Sequence, residues 1–212
     1  MPKGEGKEAV IQKILKAALE VFAEKGFSAA TMDDIASRAG VNKAMLYYYL
    51  GDKQELFSRT VLSAIAPVEK AAKEIALLKT PVSQRLMQLQ AAFAQALASN
   101  SYLPRLMLRM LVTEVEHIPA EVLHAMAQVF GVTRQLVAEG VRLGSLRPAS
   151  PWLVHLLLLG SLGFAWEAGK LLDRMGKLGL WDEPPLAPPN EKLAAELSQV
   201  LLYGISLERR QA

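Results

Sequence analysis

Residues 31–50 read TMDDIASRAGVNKAMLYYYL. Thr31, followed three residues later by Asp34, has the spacing of a helix capping box, with Asp in place of Glu or Gln. Gly40 ends this first helix after about two turns, and Asn42 can cap a second short helix that ends near Leu50. Two short helices joined by a tight turn predict a helix-turn-helix, in which the second helix projects from the body of the domain.

The predicted corner has a buried side and an outward side. Three of the five tyrosines of the protein lie consecutively at 47–49, on the helix that faces outward. Phosphates and base edges of DNA offer phenol groups both hydrogen-bond partners and apolar contacts. The pattern therefore indicates DNA binding. The residues expected to bury the corner are Ile35, Ala36, Val41 and Leu46.

The stretch resembles the signature of TetR-family transcriptional regulators. The resemblance continues in FAEKGF at residues 22–27 and in DKQEL at residues 52–56. In that family the remaining helices form a divergent regulatory and dimerisation domain. The resemblance therefore implies a helix-turn-helix DNA-binding domain at residues 1–53 and a ligand-binding and dimerisation domain at residues 54–212.

Transferred position by position, the resemblance also implies which residues touch DNA. Thr31 would bind a phosphate at a helix N-terminus, and Lys53 would pair with another. Ala44 and Met45 lack polar groups, and the family usually has a small or hydroxylated residue at position 45, so we expect contact with thymine methyl groups. The residues expected to contact DNA are Thr31, Asn42, Lys43, Ala44, Met45, Tyr47, Tyr48, Tyr49 and Lys53.

The composition indicates a cytoplasmic protein with a substantial core. Of 212 residues, 51% are hydrophobic and 21% are charged, which excludes wholesale disorder. The absence of cysteine excludes disulfides and thiolate sites. No secretion signal is visible at the start of the sequence, and the nearly uncharged stretch 152–166 is shorter than a membrane span. A formal charge of +3 is too small for a nonspecific DNA-coating protein.

Helical periodicity dominates the whole sequence, and no window shows the alternation of a half-buried strand. We predict an all-α fold of about nine helices, with an N-terminal three-helix bundle and a larger C-terminal helical domain. No cofactor is expected. The predicted helices cover 8–25, 31–39, 42–50, 52–79, 81–99, 102–116, 119–143, 151–176 and 191–210.

One helix-turn-helix makes too few contacts to select a genomic site, so such proteins bind palindromes as dimers. The helix around residues 152–166 is apolar on all sides, and small residues along it allow a second helix to approach closely. Alternatively, the last two helices complete a monomeric core. Leu153, Leu156, Leu157 and Phe164 are expected to face the core of the subunit. The residues expected at the dimer interface are Ser161, Ala165, Gly169, Leu197, Val200, Leu201, Gly204 and Ile205.

Five of the eight methionines lie between residues 87 and 175. Together with aromatic residues they suit an adaptable apolar pocket, although methionine is also ordinary core filler. The resemblance implies that a small hydrophobic effector enters between the middle helices and releases the DNA by shifting a conformational equilibrium. The residues expected to line the pocket are Met87, Phe93, Met107, Met110, His117, Phe130, Phe164 and Trp166.

A rival interpretation is a helical-bundle enzyme with two metal ions. Glu114 and His117, and again Glu121 and His124, have the Glu-x-x-His spacing of carboxylate-bridged di-metal proteins. Pro119 separates the two copies, and the glutamates required from two further helices are not evident. We therefore predict no metal site and a DNA-binding regulator, with repression favoured because blocking a promoter needs no contact with polymerase.

Overall fold

The computed structural model describes residues 6–180 and 191–205. Over these ranges the chain forms nine α-helices and no strand, which confirms the predicted fold class. The predicted helix at 102–116 is interrupted, because α6 ends at Thr113 and a single 3₁₀ turn follows at Val115–His117. Residues 206–210 of the last predicted helix lie outside the described residues. The helices are α1 (Lys7–Ala29), α2 (Met32–Ala39), α3 (Lys43–Leu50), α4 (Lys53–Ala76), α5 (Val82–Ser99), α6 (Leu103–Thr113), α7 (Ala120–Arg142), α8 (Pro151–Lys177) and α9 (Glu191–Ile205).

Side-chain caps start the helices where the sequence predicts them. The Thr31 hydroxyl accepts a hydrogen bond from the Asp34 N–H at 3.1 Å, and the Asp34 carboxylate accepts one from the Thr31 N–H at 3.1 Å. The predicted capping box is therefore confirmed. The Asn42 side chain accepts from the Ala44 N–H at 2.9 Å and caps α3. Ser150 caps α8, whose first residue is Pro151, a position where proline costs no helical hydrogen bond.

The chain divides into two compact units. The first unit contains residues 1–66 and 105–125, and the second contains residues 67–104 and 126–212. The sequence predicts a division by function, into residues 1–53 and 54–212, and that functional boundary stays a prediction. The segment 105–125 joins the first unit, and Pro67, inside α4, is the first residue of the second.

Aromatic packing forms the core of the first unit. The Phe22 and Phe57 rings meet edge to face at 5.0 Å, and Phe27 lies 5.0 Å from Phe57. Leu46 and Leu50, on the inner face of α3, are fully buried, and their packing holds the helix against the core. This packing holds α3 in place while its other side stays open.

In the second unit α5 packs against α9 and against a π-helical segment of α8 at Leu156–Gly160. The Gln90 amide donates to the Leu158 carbonyl oxygen at 3.3 Å and accepts from the Ser198 hydroxyl, which ties the three helices together. Val154, Leu158 and Leu162 are the α8 residues that face this core.

The predicted inner face of α8 is wrong. Leu153, Leu156, Leu157 and Phe164 are exposed in the single chain, and Phe164 is 69% exposed. Because residues 152–166 of α8 are apolar on all sides, the hydropathy of this stretch does not indicate which face is buried. The π-helical turn also shifts the register of the side chains that follow it.

Candidate nucleic-acid interface

The turn between α2 and α3 depends on Gly40. Its φ is +61° and its ψ is 39°, the left-handed conformation that glycine adopts without strain, as the sequence predicts. Its N–H donates to the carbonyl oxygens of Ala36 and Ser37, and the Val41 N–H donates to Ala36 at 3.1 Å. Among the predicted corner residues, Ile35, Ala36 and Leu46 are buried, whereas Val41 is only half-buried.

The outer side of α3 carries the residues predicted to bind DNA. Tyr48 is 82% exposed, and Tyr47 is half-exposed beside it. The Tyr49 ring packs edge to face on Tyr48 at 4.9 Å and is partly covered. At the start of the helix Asn42 and Ala44 are exposed, and Lys43 and Met45 are half-buried. The structure therefore presents this part of the predicted set on one short helix.

Thr31 is engaged within its own capping box. Its hydroxyl donates to the Asp34 carboxylate at 2.8 Å, and its N–H donates to the same group. Bonds from Lys25 and Thr31 lower the pKa of the Asp34 carboxyl to about 2. A phosphate at this helix N-terminus would meet a carboxylate that is already there, so the contact predicted for Thr31 requires the cap to open.

Both predicted lysine contacts have partners within the chain. The Lys43 ammonium donates to Asp33 at 2.7 Å, and this bond raises the Lys43 pKa above its usual value. The Lys53 ammonium donates to the Ser28 carbonyl oxygen at 3.2 Å and lies 4.6 Å from the centre of the Phe27 ring. Lys53 is thus placed at the junction of α1 and α4 and helps to hold it.

The segment 105–125 packs against α1 and so supports the helix-turn-helix. The sequence did not predict this role. The Arg109 guanidinium donates to the carbonyl oxygens of Lys25 at 3.0 Å and Glu24 at 3.3 Å. These carbonyls precede Gly26, whose φ of +84° interrupts α1. A Cβ at position 26 would lie 2.5 Å from the Glu114 carboxylate and 2.7 Å from the Arg109 guanidinium. A side chain at position 26 would displace these two groups, and the positive φ there independently favours glycine.

The two Glu-x-x-His pairs belong to this support. The Ser28 hydroxyl donates to the buried Glu114 carboxylate at 3.3 Å and hydrogen-bonds the His117 ring at 3.1 Å. His117 also packs edge to face on Phe27 at 5.2 Å. The Ser58 hydroxyl donates to Glu121 and lowers the pKa of that carboxyl. Glu114 and His117 share Ser28 of α1, whereas Glu121 binds Ser58 of α4, so the two copies of the motif make separate packing contacts within this unit.

These contacts give the enzyme alternative no support. Within residues 6–180 and 191–205 no three His, Asp or Glu side chains come together as metal ligands. Glu114 and Glu121 are occupied by separate serine hydroxyls instead of facing each other across a shared site.

The sequence profile of the family described as "Bacterial regulatory proteins, tetR family" matches residues 14–60, which run from α1 into α4 and include the whole corner. Residues 14–60 therefore match the N-terminal domain of the TetR family, as the sequence resemblance predicts. The HTH-type transcriptional activator FasR of Mycolicibacterium smegmatis is 34% identical over 89 residues, which are 42% of this chain and 41% of FasR. The HTH-type transcriptional repressor NicS of Pseudomonas putida is 35% identical over 78 residues, 37% of each chain. The matched segments thus span less than half of either regulator.

A solved structure of a transcriptional regulator extends the likeness to the whole fold. FadR from Bacillus subtilis, in complex with stearoyl-CoA, is 17% identical with a TM-score of 0.64. The superposition covers 91% of this chain and 98% of FadR. At this identity the match shows the fold that the two chains share.

The residues predicted to line an effector pocket lie in different surroundings. Phe93 and Met110 are buried, Phe164 is exposed, and His117 is part of the support below the helix-turn-helix. The second unit contains a cavity of about 600 Å³ lined by other residues. Met87, Met107, Phe130 and Trp166 are half-buried. The cavity is lined by Ala76, Leu78, Lys79, Thr80, Pro81, Val82, Arg85, Glu139, Leu143 and Ser145.

The residues predicted at the dimer interface are of three kinds: buried, exposed and half-buried. Ala165 and Leu201 are already buried within the single chain, so they offer little surface to a partner. Val200 and Gly204 are exposed on α9, next to Tyr203, which is 80% exposed. The remaining predicted interface residues are half-buried: Ser161, Gly169, Leu197 and Ile205.

Proposed function

We propose that this protein is a cytoplasmic transcriptional repressor that binds palindromic operator DNA as a homodimer and is released by a small hydrophobic effector. The observation that carries the proposal is the outer side of α3, where Tyr47 and Tyr48 are exposed on a helix held by a helix-turn-helix. The names of FasR and NicS, which match this part of the chain, support a role in transcription.

The chemistry of α3 suits the major groove of DNA. Eight residues form a helix short enough to enter the groove with its first turn, where Asn42 and Ala44 are exposed. Ala44 and Met45 would contact thymine methyl groups, and the phenols of Tyr47 and Tyr48 would donate to phosphates on either side. Uracil in place of thymine in the operator should weaken binding, and equal affinity would reject the methyl contact.

The exposed apolar side chains of α8 and α9 support the homodimer. Leu153, Leu157 and Phe164 are exposed on α8, as are Val200 and Tyr203 on α9. A soluble monomer rarely exposes so many large apolar residues on two helices. A second copy of the chain would cover them and would place two α3 helices on one DNA duplex.

By length and composition α8 could also cross a membrane. A serine side chain caps its N-terminus within the second unit. Leu158 and Leu162, on one side of the helix, are buried in that unit. These features favour a protein partner over lipid for the exposed side. A cytoplasmic location follows, and recovery of the protein in the membrane fraction would contradict it.

A hydrophobic effector fits the methionine and aromatic residues of the middle helices, since methionine side chains adapt to variable apolar ligands. The stearoyl-CoA in the FadR structure suggests a first probe. An effector releases DNA only if it binds better to the form of the protein that does not bind DNA. Stearoyl-CoA should therefore lower operator affinity if acyl chains are the effector class, and buffer with coenzyme A alone is the control.

The proposal is tested by fluorescence anisotropy with a labelled duplex from the DNA upstream of the protein's own gene. We expect saturable binding that survives competition by random duplex and a stoichiometry of two chains per site. Transcription in vitro from the same promoter should fall when the protein is added. Binding that random duplex competes away completely would contradict the proposal.

A further inference from the structure

A single ion pair joins the two helices of the helix-turn-helix on their outer side. Lys43 is the first residue of α3, and Asp33 lies in the first turn of α2. The Lys43 ammonium lies 2.7 Å from the Asp33 carboxylate, and the two side chains are 43% and 72% exposed. The pair is therefore at the surface from which α3 would meet DNA.

Asp33 is not the residue that caps α2. That role belongs to Asp34, whose carboxylate binds Thr31 and also pairs with Lys25 at 2.7 Å. Among the described residues, the hydrogen bond of the Asp33 side chain goes to Lys43 alone. An ion pair this exposed contributes little to folding. In the first turn of α2 the Asp33 carboxylate also interacts favourably with the helix dipole, but that interaction does not involve Lys43.

The carboxylate of Asp33 occupies Lys43 as a DNA phosphate would. A carboxylate and a phosphate are both anionic groups with oxygen acceptors, and a lysine ammonium binds either as a point charge. DNA that approaches α3 must therefore replace Asp33 at Lys43 or leave Lys43 unused. It also meets the negative charge of Asp33 at the groove edge.

We propose that Asp33 is a specificity-determining residue that suppresses binding to nonspecific DNA by competing with phosphates for Lys43. The proposal rests on the function proposed above. Nonspecific binding is nearly all phosphate electrostatics, whereas an operator adds contacts from base edges to α3. Asp33 thus weakens both kinds of binding, but it takes a larger share of the affinity for random sequence.

The other cations of the same face make Lys43 the informative position. Lys25 pairs with Asp34, and Arg38 pairs with Glu20 and Glu24 on α1. Nine Lys or Arg against eight Asp or Glu in residues 1–59 leave this region nearly neutral. Removing one carboxylate beside α3 therefore changes a large fraction of the local net charge.

The test is Asp33→Asn in the full chain, because asparagine keeps the size and the hydrogen-bonding oxygen and removes only the charge. Binding to a random duplex and to the operator is measured between 50 and 200 mM salt. Over this range the affinity of a protein that makes several phosphate contacts falls about 10³-fold. We expect random-duplex affinity at the lowest salt to rise about tenfold, the salt dependence to steepen by about one counterion, and the operator preference to fall. The control is Glu69→Gln, which removes a carboxylate paired with Lys73 on α4. It should change none of these values.

A double-mutant cycle with Lys43→Gln decides whether Asp33 acts through Lys43. If it does, Asp33→Asn should gain much less affinity when Lys43 is absent. An undiminished gain would mean general repulsion and would overturn the proposal, as would unchanged random-duplex affinity in Asp33→Asn. Loss of folding in both Asp33→Asn and Asp33→Ser would show a structural role and would overturn it too. If the unaltered protein binds no duplex, the proposed function itself fails, which separates the two outcomes.

Discussion

The exposed sides of α3 and α8 differ in chemistry, and the difference indicates what each of them meets. On α3 the large exposed side chains are tyrosines, which have an apolar ring and a polar tip. On α8 most of them are leucines and Phe164, which have no polar atoms, and Trp152 in the first turn adds one indole N–H. Phenol groups suit a hydrated, charged partner that binds reversibly, whereas hydrocarbon side chains suit a permanent interface that excludes water. The comparison supports the proposal that α3 contacts DNA and that α8 contacts a second copy of the chain.

The largest effect is expected from a charge placed on the exposed apolar side of α8. Phe164→Glu should dissociate the homodimer, because a carboxylate buried in an apolar interface lacks a partner. Light scattering should then give a mass near 23.2 kDa, and operator affinity should fall at least ~100-fold because the two half-sites are no longer bound together. Leu77→Glu is the control, since Leu77 is also a large exposed apolar residue, at 82%, but lies outside α8 and α9. A dimer that persists in Phe164→Glu would break the comparison.

The next largest effect is expected at low pH, which should lower the stability of the protein through a buried histidine of α8. His155 of α8 is buried against Phe93 and Phe130 and hydrogen-bonded to the Thr133 hydroxyl, and burial lowers its pKa to about 4. The unfolded chain, with a histidine pKa of 6.5, binds more protons between these values. Stability is therefore full above pH 6.5 and falls as the pH drops toward 4, by about 3 kcal/mol from this group.

Urea unfolding at pH 7.0 and 4.5 measures this loss. In His155→Asn, which keeps an acceptor near Thr133, the pH dependence should be smaller although the protein is less stable overall. An unchanged pH dependence would show that other groups cause the acid sensitivity.

A moderate effect is expected on the exposed side of α3. Tyr47→Ala should weaken operator binding about tenfold, because a ring contact and a phosphate hydrogen bond are lost together. The free energy of unfolding should stay the same, since the side chain is half-exposed. Tyr47→Phe separates the two contributions, and we expect it to retain part of the affinity. Unchanged binding in Tyr47→Ala would contradict the docking of α3.

The smallest effect tests the cavity of the second unit. The Thr80 hydroxyl lines it and is buried without a hydrogen-bond partner. Thr80→Val should raise the free energy of unfolding by about 1 kcal/mol, because an unpaired buried hydroxyl is removed. Thr60→Val is the matched control, since the buried Thr60 hydroxyl donates to the Leu56 carbonyl oxygen at 2.7 Å and its loss should destabilise. Equal effects in the two variants would reject the argument.

The sequence predicts the corner well, because its signals are local. The capping box, Gly40 and the three consecutive tyrosines each act within a few residues, and the structure places them as predicted. The buried face of α8 is not predictable in the same way, since residues 152–166 are apolar on every side of that helix. The capping box also indicates that Thr31 is less available to a phosphate, because its hydroxyl is bound to Asp34.

The support under the corner could not be predicted from local pattern. Ser28 meets Glu114 and His117 across more than eighty residues of sequence. Nothing in the spacing of a Glu-x-x-His pair tells a metal ligand from a hydrogen-bond partner of a distant serine. Only the folded arrangement distinguishes the two roles.

The most direct test of the paired arrangement is selection of bound duplexes from a random pool by the full chain. The account predicts enrichment of an inverted repeat whose half-site centres lie about one helical turn apart or a multiple of it. It also predicts that Phe164→Glu loses the repeat while thymines persist within each half-site. Enrichment of a single unrepeated site, or of no sequence at all, would contradict the account.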